Sequence, residues 1–65
     1  MKIQLNGEKC DVSATNVAEL VTELKLESRM LAVELNLEVV SKSAYPATAL
    51  TEGDRVEIVH MIGGG

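Results

Sequence analysis

The chain has 65 residues, a formal net charge of −4, and one cysteine, one histidine and one tyrosine with neither tryptophan nor phenylalanine. That is one small domain with a thin core, which argues against an enzyme working alone. A lone thiol excludes an internal disulfide, a four-thiolate zinc site and an iron–sulfur ligand set; the negative charge and near-absence of aromatics argue against a nucleic-acid surface.

The alternation of Lys2-Ile3-Gln4-Leu5, then Asn6-Gly7, then Glu8 to Val12 predicts a hairpin. Asn-Gly suits a type I′ turn, where both central residues need positive φ. Cys10 and Val12 should share a face with Ile3 and Leu5. Asn16 is a favoured N-cap, and Glu19 three positions on predicts a capping box closing on the Asn16 amide. Val17, Leu20, Val21 and Leu24 then follow helical spacing and form one apolar stripe.

Leu31 to Leu35 predicts a third strand, Asn36 a turn, and Glu38-Val39-Val40 a short returning strand. Ser41 to Ala49 carries Pro46 and no sustained period, so an irregular crossing with a helical turn is expected. Thr51-Glu52-Gly53-Asp54 is a turn by composition. Arg55 to Met61 is the last strand, with Val56, Ile58 and His60 on one face and Glu57, Val59 and Met61 on the other. The expected core is Ile3, Leu5, Val12, Val17, Leu20, Val21, Leu24, Leu31, Val33, Leu35, Leu50, Val56 and Ile58. The fold class is α+β: order ββαββ, with a small extra element before the final strand, and a mixed four- to five-stranded sheet packed on one helix. That is the pattern of a β-grasp roll.

The sequence closes on Gly63-Gly64-Gly65. At ordinary glycine usage, three in a row at a given place arise by chance about three times in ten thousand. Without side chains such a strip is narrow, takes φ of either sign and lets another protein approach its backbone. It leaves the Gly65 carboxylate open to activation as a mixed anhydride with AMP, followed by displacement by a sulfur or amine nucleophile. The alternative is a frayed end or a cloning scar. The expected organisation is a domain over 1–62 and a flexible tail over 63–65.

Taken together, these residues resemble a sulfur-carrier protein of the ThiS type, from thiazole formation in thiamine biosynthesis, within the ubiquitin-like β-grasp group. The similarity rests on Asn6-Gly7, Asn16-Val17 with Leu20-Val21, Ala32 to Asn36 with Val39-Val40, and above all Gly53-Asp54-Arg55-Val56-Glu57-Ile58-Val59 followed by the glycines. It departs at Leu37, where relatives often carry glycine, and at Ser41-Lys42. The resemblance implies that a ThiF-like, E1-type adenylating enzyme uses ATP and magnesium to adenylate Gly65. Sulfur originating from a cysteine desulfurase then gives a thiocarboxylate, which thiazole synthase accepts. Gly63 and Gly64 would thread into the partner's active site, and the carrier would hold no nucleotide, metal or other cofactor.

Val59, Met61 and Ile62 form the expected docking face, exposed apolar residues beside the tail; the alternative is scattered surface apolars without a role. Cys10 is expected on the core face of its strand without sulfur chemistry, and His60 as a surface or edge residue without a catalytic partner. Glu57 and Asp54 are candidates for steering a basic partner. Rival readings are the carrier of another pathway, such as the small subunit of molybdopterin synthase, and an inert β-grasp interaction module. With no bilayer-length apolar run and no leader, the expected compartment is the cytoplasm.

Overall fold

The structure, a computed structural model, describes residues 1–61. Two hairpins and one helix are joined by a final strand. Strands β1 (Lys2–Leu5) and β2 (Glu8–Asp11) are followed by helix α1 (Val17–Glu23), then β3 (Leu31–Leu35), β4 (Glu38–Val40), a 3-10 helix over Lys42–Ala47, and β5 (Arg55–His60). The sheet order is β2-β1-β5-β3-β4. β5 runs parallel to β1 and antiparallel to β3, and both hairpins are antiparallel, so the sheet is mixed. The expected α+β roll is the observed one, with five strands at the upper end of the four to five anticipated.

Local chemistry explains most of the boundaries. Asn6 and Gly7 turn the first hairpin with φ of 51° and 86°, as a type I′ turn requires. The Asn16 side chain caps α1 by accepting from the Glu19 amide at 2.8 Å. The reciprocal half of the box is displaced by one residue. Glu19 Oε1 accepts from the Thr15 amide and hydroxyl, each at 2.8 Å, rather than from Asn16.

The helix stops in a Schellman arrangement. The Leu26 amide donates to the Val21 carbonyl and the Lys25 amide to the Thr22 carbonyl, both at 2.9 Å. Lys25 stands at the left-handed position with φ 60°, where glycine is the usual residue.

Alternation along the central strands builds the core. Ile3, Val33, Val56 and Ile58 point from the sheet toward Val17, Leu20 and Val21, and all are buried. Val12 and Leu50 join them, as expected. Leu5, Leu24, Leu31 and Leu35 are only partly buried at the margin, and Cys10 sits there with them. Ala14 and Tyr45 are buried members that the sequence pattern did not single out. Tyr45 lies on the 3-10 helix, whose period differs from both the helical and the strand templates.

Candidate functional site

The end of β5 is the candidate site, since the candidate tail continues from it. β5 is held on both sides: Gln4 and Leu5 of β1 pair with Arg55 and Val56, while Leu31 to Leu35 pair with His60 to Val56. One further bond, from the Met61 amide to the Met30 carbonyl at 2.9 Å, carries the anchoring past the strand. Ile62, Gly63, Gly64 and Gly65 lie outside the described residues.

The root of β5 is fixed by two asparagines. Asn6 donates its amide to the Val56 carbonyl at 2.9 Å, and its side-chain oxygen accepts from the Ile58 amide at 2.8 Å. Where β1 turns away, the Asn6 side chain thus continues the pairing to β5. Asn36 does the same from the other hairpin. Its amide donates to the Arg55 carbonyl at 2.7 Å and its side-chain oxygen accepts from the Arg55 amide at 3.0 Å. The Asn36 side-chain NH2 reaches Asp54 Oδ1 at 3.1 Å.

Asp54 also accepts from the Thr51 amide and hydroxyl, at 2.8 and 3.0 Å. Partial desolvation raises its carboxyl pKa, but the hydrogen bonds from Thr51 and Asn36 outweigh it and leave the group below its ordinary range. Asp54 is therefore committed to the turn before β5. Glu57 is exposed on the open face of the sheet, directly opposite Glu34 of β3. Of the two carboxylates considered for steering, only Glu57 faces solvent without such a task.

The expected docking residues are divided. Val59 is 60% exposed on the open sheet face, opposite Ala32 and on the side that carries Val39 at 76%. Met61, one residue beyond the strand, instead lines a cleft on the helix side, of about 350 Å3, with residues of α1, the 3-10 helix and the start of β3. Val59 and Met61 therefore do not form the single face expected for them, because strand alternation ends at His60. His60 is exposed near Leu24 and Leu26 at the helix end. Among the described residues no cluster of His, Cys, Asp and Glu could hold a metal ion, and no helix is long and apolar enough to cross a membrane.

A family model, the ThiS family, matches residues 3–65. The chain belongs to the ThiS family. Among its relatives is the sulfur carrier protein ThiS of Bacillus subtilis, 35% identical over 65 residues, covering 97% of this chain and 98% of that protein. The crystal structure of the thiamine biosynthesis protein ThiS from Geobacter metallireducens superposes with a TM-score of 0.85 at 38% identity, with 100% of each chain covered. The fold of this chain is thus that of the ThiS structure from Geobacter metallireducens. A thiazole synthase of Paramagnetospirillum magneticum is 50% identical over 66 residues, covering 100% of this chain. This chain spans about a fifth of the length of that protein and of a second thiazole synthase, from Magnetococcus marinus.

Proposed function

We propose that this ThiS-family domain carries sulfur on the Gly65 carboxylate for thiazole formation in thiamine biosynthesis. The observation that carries the reading is the family match, which runs through the glycines to residue 65. Kinship with a protein named as a sulfur carrier and with proteins named thiazole synthase supports the same pathway.

The chemistry follows from what a carboxylate lacks. It is a poor electrophile until one of its oxygens attacks the α-phosphate of ATP, releasing pyrophosphate and leaving an acyl-adenylate. A hydrosulfide-level sulfur nucleophile then adds to the carbonyl carbon. AMP departs with the activated oxygen, the sulfur loses its proton, and a thiocarboxylate remains. A ThiF-like E1-type enzyme supplies the ATP and magnesium site, a cysteine desulfurase is the source of sulfur as a persulfide that a thiol reductant brings to the sulfide level (the thiols leaving as a disulfide), and thiazole synthase is the acceptor. Gly63 and Gly64 offer no side chain to obstruct entry into the partner's active site, and no Cβ at Gly65 crowds the tetrahedral intermediate. The division into a domain over 1–62 and a tail over 63–65 belongs to this reading, as do Val59, Met61 and Ile62 as residues near the docking partner. Such chemistry places the chain in the cytoplasm, where ATP is supplied.

Intact-mass spectrometry tests it. The carrier is incubated with the adenylating enzyme of its own organism, ATP, magnesium and sulfide. The expected product has one oxygen replaced by sulfur, localised to Gly65 by fragmentation. Deletion of Gly65 should abolish the change without altering the far-ultraviolet circular dichroism. An unaltered mass under conditions that activate the Bacillus subtilis carrier would refute the reading.

A further inference from the structure

The cleft beside Met61 has an apolar floor of Ala18 and Val21 from α1, Leu31 from β3 and the buried Tyr45. Two methionines stand at its mouth, Met30 at 57% and Met61 at 50% exposure. Arg29 and Lys42 line the rim, with Glu27 as the acidic member. Neither cation pairs with a carboxylate among the described residues, whose one ion pair joins the amino terminus to Asp11. In a chain with six basic and ten acidic residues, two unpaired cations at one apolar hollow form a local reversal of sign.

The cleft is also continuous with the root of the tail. The Met61 amide is bonded to the Met30 carbonyl, and both side chains border the hollow. The last described residue, Met61, thus borders the cleft, and a protein that takes up the chain beyond it approaches from a point at the cleft's mouth. At about 350 Å3 the hollow has room for one large side chain. A small free ligand would remain wet on its outer side, whereas a partner's surface would cover the exposed methionines. Methionine adapts its shape to such an insert.

We propose that this cleft seats an apolar side chain flanked by a carboxylate, projected by the adenylating protein that receives the tail. The inference rests on the carrier reading for the identity of that partner. The apolar floor supplies the anchor, and Arg29 and Lys42 draw in the flanking carboxylate, so that the tail is held over the partner's active site. A desolvated apolar anchor inside a charged rim is the arrangement in which a few residues dominate binding, and the rim charges govern association rate and salt dependence.

Calorimetric titration of the full chain with the adenylating enzyme of its own organism tests this. The double variant R29E/K42E is expected to bind about tenfold more weakly and to lose most of the salt dependence. Met30→Asp, which keeps both cations but spoils the apolar mouth, is expected to weaken binding about as much. The control K2E/K9E makes the same change in charge on the far hairpin and should stay within about threefold of the natural chain. Thermal melts verify folding, and all five positions are exposed. Equal affinity for the natural chain, R29E/K42E and Met30→Asp overturns the proposal, as does a K2E/K9E loss as large as that of R29E/K42E. The mass experiment on the natural chain reads the carrier function separately. Sulfur gain with cleft-independent binding sinks the cleft alone, cleft-dependent binding without sulfur gain sinks the carrier reading alone, and absence of any binding sinks the cleft proposal outright.

Discussion

Asn6 serves two needs that meet at one position. It adopts φ 51° in the turn, which few side chains accept, and its side-chain oxygen takes the Ile58 amide of the central strand. Replacing it with alanine removes both, and a donor in a partly buried setting loses its partner. Asn6→Ala should cost about 1–3 kcal/mol, read from urea denaturation, with Asn6→Asp retaining the acceptor and costing less. Leu37 presents the opposite case. At φ 73° and 70% exposure it occupies a position of the β3–β4 turn that favours glycine, and gains little burial there. Relief of the left-handed penalty is partly offset by the extra freedom of glycine in the unfolded chain. Leu37→Gly is therefore expected to stabilise by about 0.5–1 kcal/mol and to raise the melting temperature by a few degrees. The Asn-Gly signal made the first turn legible in the sequence. Asn36 was legible as the start of the second, but its bonds to Arg55 and Asp54 were not, because they join residues distant along the chain.

At the level of the element, hairpins and helix follow from local spacing, whereas the connections are fastened by acidic side chains acting across them. Glu23 accepts from the Ser13 amide at 3.0 Å and the Ala14 amide at 2.9 Å, tying the last turn of α1 to the segment that precedes it. No spacing rule announces that tie. The capping box was visible as Asn16 with Glu19, but the choice of Thr15 over Asn16 depends on how the chain enters the helix. Glu19 and Asp54 also set an acid limit. The Thr15 backbone and hydroxyl bonds hold Glu19 below its ordinary pKa, and those of Thr51 and Asn36 do so for Asp54 against partial desolvation. Groups with depressed folded-state values stabilise the fold fully above their unfolded pKa and lose that contribution as pH falls through the folded value. Thermal stability should therefore be level near neutrality and decline below the ordinary carboxylate range. Glu19→Gln and Asp54→Asn should each make melting temperature less sensitive to acid.

For the molecule as a whole, the sequence disclosed the sheet and helix more readily than the surface around the tail. Strand alternation put Val59 on the open face, and the structure finds it there at 60% exposure. The same alternation misplaced Met61, because past His60 its surroundings are decided by the meeting of α1, the 3-10 helix and the Met30 carbonyl. That meeting also creates the cleft, which no periodicity could reveal. Tyr45 was hidden for a related reason, being drawn into the core by the packing of an irregular segment on the helix. Net charge adds a test at this scale: with −4 overall and two of the six cations at one hollow, binding to the adenylating protein should weaken as salt rises. Titrations at low and physiological ionic strength would measure it, and a flat response would remove electrostatic steering from the account.

The order β2-β1-β5-β3-β4 has a consequence for biosynthesis. The two hairpins share no ladder of their own, and the strand that pairs with both is synthesised after them. A nascent chain that stops before Arg55 can still tie Val17 to Thr48 and Leu50 to Thr15, but it leaves β1 and β3 each with an open edge, so the sheet closes only when the last strand leaves the ribosome.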